Sequence, residues 1–163
     1  MTGAATMKIY RIDQNSRKKI NDLITGRWYS LDMIVRGERI DLSDADGWYT
    51  ADEDGITGLL TFRIIGGEME ILSLDSLKEN AGIGTALLDT AVSEARDKGI
   101  ERIVLITTND NIRALRFYQK FGFDMCGFFR NALDRSRKLK PEIPLIGTDG
   151  IPLKHEIEME LFV

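Results

Sequence analysis

The chain has 163 residues, of which 43% are hydrophobic and 29% charged, with a formal net charge of −4 and an isoelectric point near 5.1. This balance predicts one folded domain over residues 1–163 and excludes a chain that is disordered throughout. It also provides no broad positive field that would attract nucleic acid or an anionic membrane. The longest purely aliphatic run, at 103–106, is too short to cross a bilayer.

One cysteine, Cys126, and one histidine, His155, limit the chemistry available to the chain. A single cysteine cannot form an internal disulfide, so the composition favours a reducing cytoplasm, and we expect a buried strand thiol. One residue of each type cannot assemble a zinc site of standard spacing, and we expect no metal. The opening MTGAAT lacks the features of a signal peptide, so we expect a disordered extension over 1–6.

The first half of the chain is typical of antiparallel strands. We expect a strand over 7–13 and a short helix from Ser16 to about Ile24. Residues 26–46 mix aromatic, apolar and charged side chains without a readable period. Three strands joined by tight turns are then predicted: one from Tyr49 to the turn at 52–55, one over 56–65 and one over 68–74.

The second half alternates between helical and strand patterns. Apolar residues from Leu87 to Ala95 form one helical stripe that ends at Gly99. The elements expected after it are a buried strand over 101–108, a helix over 111–120 capped by Asp110, a strand over 123–129, a basic helical stretch and loop over 130–154, and a final strand over 155–163. Together the two halves predict an α/β (α+β) domain with a mixed, mostly antiparallel sheet flanked by helices.

The stretch SLKENAGIGTALL, residues 76–88, joins a predicted strand to the start of a helix. Unpaired N–H groups and the helix dipole favour an anion there. Gly82 and Gly84 lack a Cβ, so a phosphate oxygen can reach the main chain, and Thr85 adds a hydroxyl. The spacing is neither that of a P-loop nor that of a dinucleotide fold. Taken alone, these glycines are better explained by a tight turn that packing requires.

A second stretch, residues 107–123, places Asn111, Ala114 and Tyr118 on one face of the second predicted helix. This face would lie just beyond the carboxyl end of the central strand, which is the sheet edge where ligands bind in open α/β folds. By itself, the pattern is better explained by a structural tyrosine packed beside phenylalanines.

The two stretches together resemble the signature of the Gcn5-related N-acetyltransferase (GNAT) superfamily. That signature is a strand, a loop Arg/Gln-x-x-Gly-x-Gly/Ala and a helix, followed after the next strand by Asn-x-x-Ala-x-x-Phe-Tyr-x-x-x-Gly-Phe. Residues 79–84 read ENAGIG, and residues 111–123 read NIRALRFYQKFGF. The resemblance is strongest over 68–123, and the tail from Arg130 resembles that of an uncharacterised bacterial branch of GNAT proteins.

The resemblance implies an N-acetyltransferase that binds acetyl-coenzyme A between two parallel central strands that splay apart, here 68–74 and 101–107, in a sheet of about six to seven strands. The pantetheine arm would pair with the first strand, and the pyrophosphate would lie on the glycine loop. The cofactor-binding residues that the resemblance implies are Leu72, Leu74, Ala81, Gly82, Ile83, Gly84, Thr85, Asn111 and Ala114.

The same resemblance places Tyr118 near the thioester sulfur. A phenol with a pKa of about 10 can protonate a departing thiolate without ionising at neutral pH. A main-chain N–H near Leu72 would donate to the carbonyl oxygen. Strand alternation puts Glu68 and Glu70 on the same face as Leu72 and Leu74, where either carboxylate would take a proton from the attacking amine, directly or through water. Two carboxylates on a solvated face are an equal alternative.

One position departs from the signature, because Glu79 stands where family members carry arginine or glutamine. Losing a guanidinium removes a charge-assisted hydrogen bond of about 1.5–3 kcal/mol, and the carboxylate adds repulsion. Main-chain donors remain, and Lys78 or Arg113 would supply positive charge. We therefore expect pyrophosphate binding that is weakened and not abolished.

Three functions stay open at this point. The first is direct transfer of an acetyl group to a primary amine of a small molecule or peptide, without a covalent enzyme intermediate. The second, favoured by Glu79, is a regulatory module that binds acyl-coenzyme A without turnover, and the third is a structural domain that binds no nucleotide. The sequence identifies neither the acceptor amine nor whether the chain forms a homodimer.

Overall fold

The structure, a computed structural model, describes residues 7–163, so the extension expected over residues 1–6 lies outside the described part of the chain. In chain order the elements are β1 (Ile9–Arg11), α1 (Arg17–Trp28), β2 (Asp32–Val35), β3 (Glu38–Asp41), β4 (Asp46–Asp52), β5 (Gly55–Ile65), β6 (Glu68–Ser76), α2 (Ile83–Asp97), β7 (Arg102–Thr108), α3 (Ile112–Phe121), β8 (Asp124–Phe129), α4 (Ala132–Leu139) and β9 (Glu156–Phe162). No helix within residues 7–163 has the length and apolar character needed to cross a membrane.

Seven strands form one mixed sheet in the order β1–β4–β5–β6–β7–β9–β8, and β2 pairs with β3 in a separate hairpin. Every neighbouring pair in the large sheet is antiparallel except β6 and β7 at its centre. The predicted fold class, a mostly antiparallel sheet with one central parallel pair and flanking helices, is confirmed.

Two apolar clusters attach the helices to opposite faces of the sheet. Leu87 of α2 and Leu115 of α3 belong to the first cluster, whereas Ile20 of α1 belongs to the second together with residues of the β2–β3 hairpin. Leu60 of β5 packs in the first cluster and its neighbour Leu59 packs in the second. Because successive strand residues point to opposite faces, α2 and α3 cover one face and α1 with the hairpin covers the other.

The central strands β6 and β7 separate before they end. Only three residues of each strand are paired, from Met69 with Ile103 to Ile71 with Leu105. Beyond this point β6 stays paired with β5 on its outer side, and β7 stays paired with β9. The main-chain groups on the inner sides therefore face a gap, which an extended ligand chain can fill in the manner of an added strand.

An irregularity in β6 changes which side chains share a face. Thr61 of β5 pairs with Ser73, but the next residue of β5 pairs with Ile71, so Leu72 has no partner on β5. Such a bulge breaks the alternation of the strand. Leu72 accordingly packs in the cluster on the α1 face, whereas Leu74 packs against the cluster on the α2 face. The prediction that Leu74 shares a face with Leu72 is wrong for this reason.

Two further local predictions differ from the structure, and one segment without a prediction contains regular elements. The unread segment 26–46 contains the end of α1 and the β2–β3 hairpin. The N-cap of α3 is Asn111, whose Oδ1 accepts from the N–H of Ala114 at 3.2 Å, and not Asp110. Asp110 instead accepts from the Thr108 hydroxyl. Cys126 is exposed, because β8 is an edge strand that alternates little between core and solvent.

Candidate active site

A cavity of about 540 Å³ lies at the end of β6, beyond the part of the strand that pairs with β7. Its wall is built from the ends of α1 and β6, the loop before α2, the first turn of α2 and one face of α3. The lining residues are Arg27, Leu74, Asp75, Ser76, Lys78, Glu79, Asn80, Ala81, Gly82, Ile83, Gly84, Thr85, Asn111, Arg113, Ala114, Phe117 and Tyr118. The structure thus brings the predicted loop residues, Leu74 and the predicted face of α3 into one cavity, and leaves Leu72, Glu68 and Glu70 outside it.

The loop before α2 lines the cavity with unpaired backbone N–H groups, the bare amides of residues 81–85. Gly82 is the N-cap of α2 with φ +71°, a conformation that glycine adopts at little cost, and a Cβ there would meet open space. Within residues 7–163, the backbone hydrogen bonds of turns, loops and helix caps include none that is donated by the N–H groups of 81–85. These donors and the dipole of α2 favour an anion at this loop without the help of a side chain.

Gly84 serves the packing between α2 and α3. A Cβ on this residue would lie 3.0 Å from Cζ of Phe117. The two glycines of the loop therefore have different roles, since Gly82 allows the turn and Gly84 allows the close approach of α3. The packing explanation for the motif therefore applies to Gly84, and the anion explanation stays a prediction.

The predicted face of α3 borders the same cavity. Asn111 lies at its start, with its side-chain oxygen occupied by the capping bond, so its Nδ2 group remains to donate to a ligand. Ala114 and Phe117 continue the wall, and Tyr118 closes it at the inner end. The ring of Tyr118 packs edge-on against Phe117 and Phe123, with centroids 5.4 and 5.5 Å apart.

Tyr118 is 8% exposed and lines the cavity. Burial, reinforced by the nearby negative charge of Asp75, raises the pKa of this phenol above its ordinary value. The group therefore stays protonated across the neutral range and is available as a proton donor.

Asp75 is a buried carboxylate in the cavity wall that the sequence prediction missed. It is 7% exposed, and its nearest cationic partner is Nε of Arg27, 3.6 Å from Oδ1. Burial raises the pKa of the Asp75 carboxyl, while Arg27 and the indole of Trp28 oppose that rise. Asp75 was missed because the predicted strand ended at residue 74 and because the bulge at Leu72 turns Asp75 toward α1.

Glu70 and Glu68 lie on β6 in a different setting. Glu70 is 2% exposed and accepts from Nη1 of Arg36 at 2.5 Å and from Nε of Arg63 at 2.7 Å. Glu68 accepts from Nη1 of Arg102 at 2.7 Å. Both carboxylates are neutralised by arginines in a network that extends across the sheet to β9.

The loop carboxylate Glu79 is also paired. Its Oε1 accepts from Nη1 of Arg113 at 3.0 Å, and both side chains are largely exposed at the mouth of the cavity. Lys78 is held by Asp52, at the turn between β4 and β5. Of the two cations expected to compensate for Glu79, Arg113 is thus the one that lies beside it.

Comparison with known proteins identifies the family of the chain. The profile described as the acetyltransferase (GNAT) family matches residues 9–123 of the chain. The chain belongs to the GNAT family. It is 40% identical to the uncharacterized protein YxbD of Bacillus subtilis over 152 residues, covering 93% of this chain and 96% of that protein. It is also 40% identical to the uncharacterized protein YdhI of the same organism over 143 residues, covering 87% and 89%.

The fold of this GNAT domain matches solved acetyltransferase structures. A GNAT family acetyltransferase from Elizabethkingia anophelis with acetyl-coenzyme A bound superposes with a TM-score of 0.69 at 18% identity, covering 98% of this chain and 100% of that one. The residues present here fit the same cofactor, because the bare amides of 81–85 suit a pyrophosphate and the gap beside β6 suits an extended arm. The chain is an acyl-coenzyme A-dependent acetyltransferase with acetyl-coenzyme A as its cofactor.

Proposed function

We propose that this GNAT domain transfers the acetyl group of acetyl-coenzyme A directly to a primary amine of a small molecule or peptide, without a covalent enzyme intermediate. The observation that carries the proposal is one cavity in which bare amides, the gap beside β6 and the phenol of Tyr118 lie together. The lining residues include no cysteine or histidine that would act as an acyl-accepting nucleophile, and the hydroxyl of the lining residue Ser76 donates to the carbonyl of Lys78 and not to a base.

The cofactor is held mainly by the backbone. The N–H groups of 81–85 bind the pyrophosphate, and the inner main-chain groups of β6 from Leu72 to Leu74 bind the pantetheine arm. Asn111 donates from Nδ2 to the cofactor, and the small side chain of Ala114 leaves room beside α3 for the pantetheine arm. When bound, the cofactor supplies an activated acetyl thioester next to Tyr118.

Tyr118 donates the proton that the departing thiolate needs. Its pKa is raised by burial, so the hydroxyl carries its proton at neutral pH. Its place in the cavity wall makes the O–H available to a bound cofactor.

Asp75 accepts the proton of the acceptor ammonium. It lies in the same cavity as Tyr118, and its pKa is raised by burial toward the range in which a carboxyl acts as a general base. Glu68 and Glu70 remain the alternative bases, directly or through water. Their arginine partners disfavour them, because both carboxylates are already engaged in ion pairs.

An acceptor screen tests the proposal. Release of free thiol from acetyl-coenzyme A is measured across small amines, amino acids, aminoglycosides and peptides with free N-termini. We expect turnover with at least one class, and Tyr118→Phe should lower kcat about 100-fold or more while leaving coenzyme A affinity nearly unchanged. Tyr49→Phe is the matched control, because Tyr49 is also 8% exposed but lies outside the cavity.

A regulatory module without turnover is the second candidate, and Glu79 is the observation that favours it. Coenzyme A binding without thiol release for any acceptor would support this candidate and contradict the first. Equal turnover of the wild type and Tyr118→Phe would contradict the proton-donor role alone.

A further inference from the structure

We propose that Arg113 supplies the positive charge that the phosphates of coenzyme A need, and that Glu79 holds Arg113 in place over the glycine loop. The family signature has arginine or glutamine on the loop itself, at the position of Glu79. Here the cation would come from α3 across the mouth of the cavity. The inference rests on acetyl-coenzyme A as the cofactor and extends the proposed function to a residue outside the family signature.

The geometry brings the two side chains together from separate elements. Glu79 lies three residues before Gly82, and Arg113 is the second residue of α3. Nη1 of Arg113 donates to Oε1 of Glu79 at 3.0 Å, and both residues line the cavity with the bare amides of 81–85. The pair therefore spans the entrance above the anion site.

Arg113 retains donors for a phosphate while it is paired. A guanidinium has five N–H groups in a planar fork, and the bond to Glu79 uses one of them. A phosphate can therefore bind bidentately on the remaining side. Glu79 then acts as a positioning residue, because it limits the directions that a long, exposed side chain can adopt.

The other two cations of the cavity wall are turned to other partners. Lys78 is bound by Asp52, away from the loop amides, and Arg27 pairs with Asp75 beside β6. Arg113 is the cation whose partner belongs to the anion loop itself. The pair is 79% and 72% exposed, and such exposed pairs contribute little to stability, so a phosphate can compete for Arg113 readily.

The expected consequence is a loss of affinity confined to the phosphorylated part of the cofactor. Dissociation constants are measured by titration calorimetry for coenzyme A, dephospho-coenzyme A and pantetheine. Arg113→Ala should weaken coenzyme A binding about tenfold or more, the effect of one charge-assisted hydrogen bond, and leave pantetheine binding unchanged. An equal loss for dephospho-coenzyme A assigns the contact to the pyrophosphate, and no loss there assigns it to the 3′-phosphate.

Arg116→Ala is the matched control. Arg116 is an exposed arginine of the same helix, it does not line the cavity, and its removal changes the net charge equally. We expect it to bind all three ligands like the wild type. Melting curves by circular dichroism check that every variant is folded.

A second variant tests the relation between the two positions. Glu79→Arg places a guanidinium on the loop itself, so Arg113→Ala in that background should cost less than about threefold. If Arg113→Ala costs as much affinity in the Glu79→Arg background as in the wild type, the two positions do not share the phosphate-binding role. Wild-type affinity for coenzyme A in Arg113→Ala, or equal weakening of pantetheine, would overturn the inference, even when acetyl transfer itself is observed.

Discussion

The two halves of β6 place buried carboxylates in opposite surroundings. In the first half, where β6 is bonded to β7, Glu70 is 2% exposed and is bound by two arginines at 2.5 and 2.7 Å. In the second half, where the strands are apart, Asp75 is 7% exposed and its nearest cation is 3.6 Å away. Both side chains point toward α1 and the β2–β3 hairpin, since their partners Arg36 and Arg27 come from there.

The difference distinguishes a carboxylate that stabilises the fold from a carboxylate that is available to react with a ligand. A buried carboxylate that is bound by guanidinium groups has its desolvation cost offset by those ion pairs. A buried carboxylate whose nearest cation is 3.6 Å away retains a cost for its charge and gains from accepting a proton or a cation. Glu70 therefore holds the sheet and the hairpin together, whereas Asp75 is available to an acceptor amine.

The largest expected effect is on turnover in Asp75→Asn. We expect kcat to fall about 100- to 1,000-fold, because a general base contributes on that order. In the wild type, kcat/KM should rise with pH through the elevated pKa of Asp75, above the ordinary range of an aspartate, because the carboxyl must lose its proton to act as a base. That acidic limb should be absent from the variant.

Asp110→Asn is the control for this loss. Asp110 is also 7% exposed, but its carboxylate is bonded to the Thr108 hydroxyl at 2.5 Å and to the N–H of Thr148 at 2.9 Å. We expect its replacement to lower stability and to keep the acidic limb. An unchanged acidic limb in Asp75→Asn would return the role of base to Glu68 or Glu70.

The next effect is on stability in Glu70→Ala. Removing this carboxylate leaves Arg36 and Arg63 without their shared partner beneath the hairpin, and we expect a loss of about 3 kcal/mol in the free energy of unfolding. Denaturant unfolding measures it. Glu160→Ala on β9 is the comparison, because Arg102 keeps Glu68 at 2.7 Å and Glu158 at 3.0 Å when Glu160 is removed. After removal of Glu70, Arg36 and Arg63 keep only Glu158 at 3.4 Å and Glu38 at 3.6 Å. A loss of turnover without a loss of stability would reverse the roles assigned to Glu70 and Asp75.

The sequence predicted the parts of the site that depend on local periodicity. The face shared by Asn111, Ala114 and Tyr118 follows from 3.6 residues per turn, and the loop at 81–85 follows from its place before a helix. All of these residues line the cavity. Their roles toward the cofactor remain predictions.

The parts that the sequence did not predict depend on non-local pairing. The bulge at Leu72 exists only in the register between β5 and β6, and strand alternation alone therefore placed Leu74 where Asp75 points. One partner of Glu70 is Arg36, which lies in the β2–β3 hairpin, within the segment 26–46 that carried no prediction. A carboxylate on a strand could not be classed as structural or chemical until both pairings were known.

A smaller effect is expected in Gly84→Ala, which tests how closely the cavity wall is packed. The added Cβ would lie 3.0 Å from the ring of Phe117, so α3 must shift by a few tenths of an ångström. We expect a loss of about 1–2 kcal/mol in stability and weaker coenzyme A binding, because the displaced helix carries Asn111 and Tyr118. Gly26→Ala is the control, since a Cβ there would meet nothing within 4 Å.

The smallest effect is the pH dependence of stability at Asp75. Its pKa is higher in the folded chain than in the unfolded one, chiefly through burial, so the folded state holds this proton more tightly. The stabilisation is present below the unfolded pKa, near 3.9, and is lost as the pH rises through the folded value. Asp75→Asn cannot lose that proton, so its melting temperature should exceed that of the wild type at neutral pH, with the difference shrinking toward acid pH. A constant difference across pH 4 to 8 would mean that Arg27 compensates the buried charge fully, and Asp75 would then resemble Glu70.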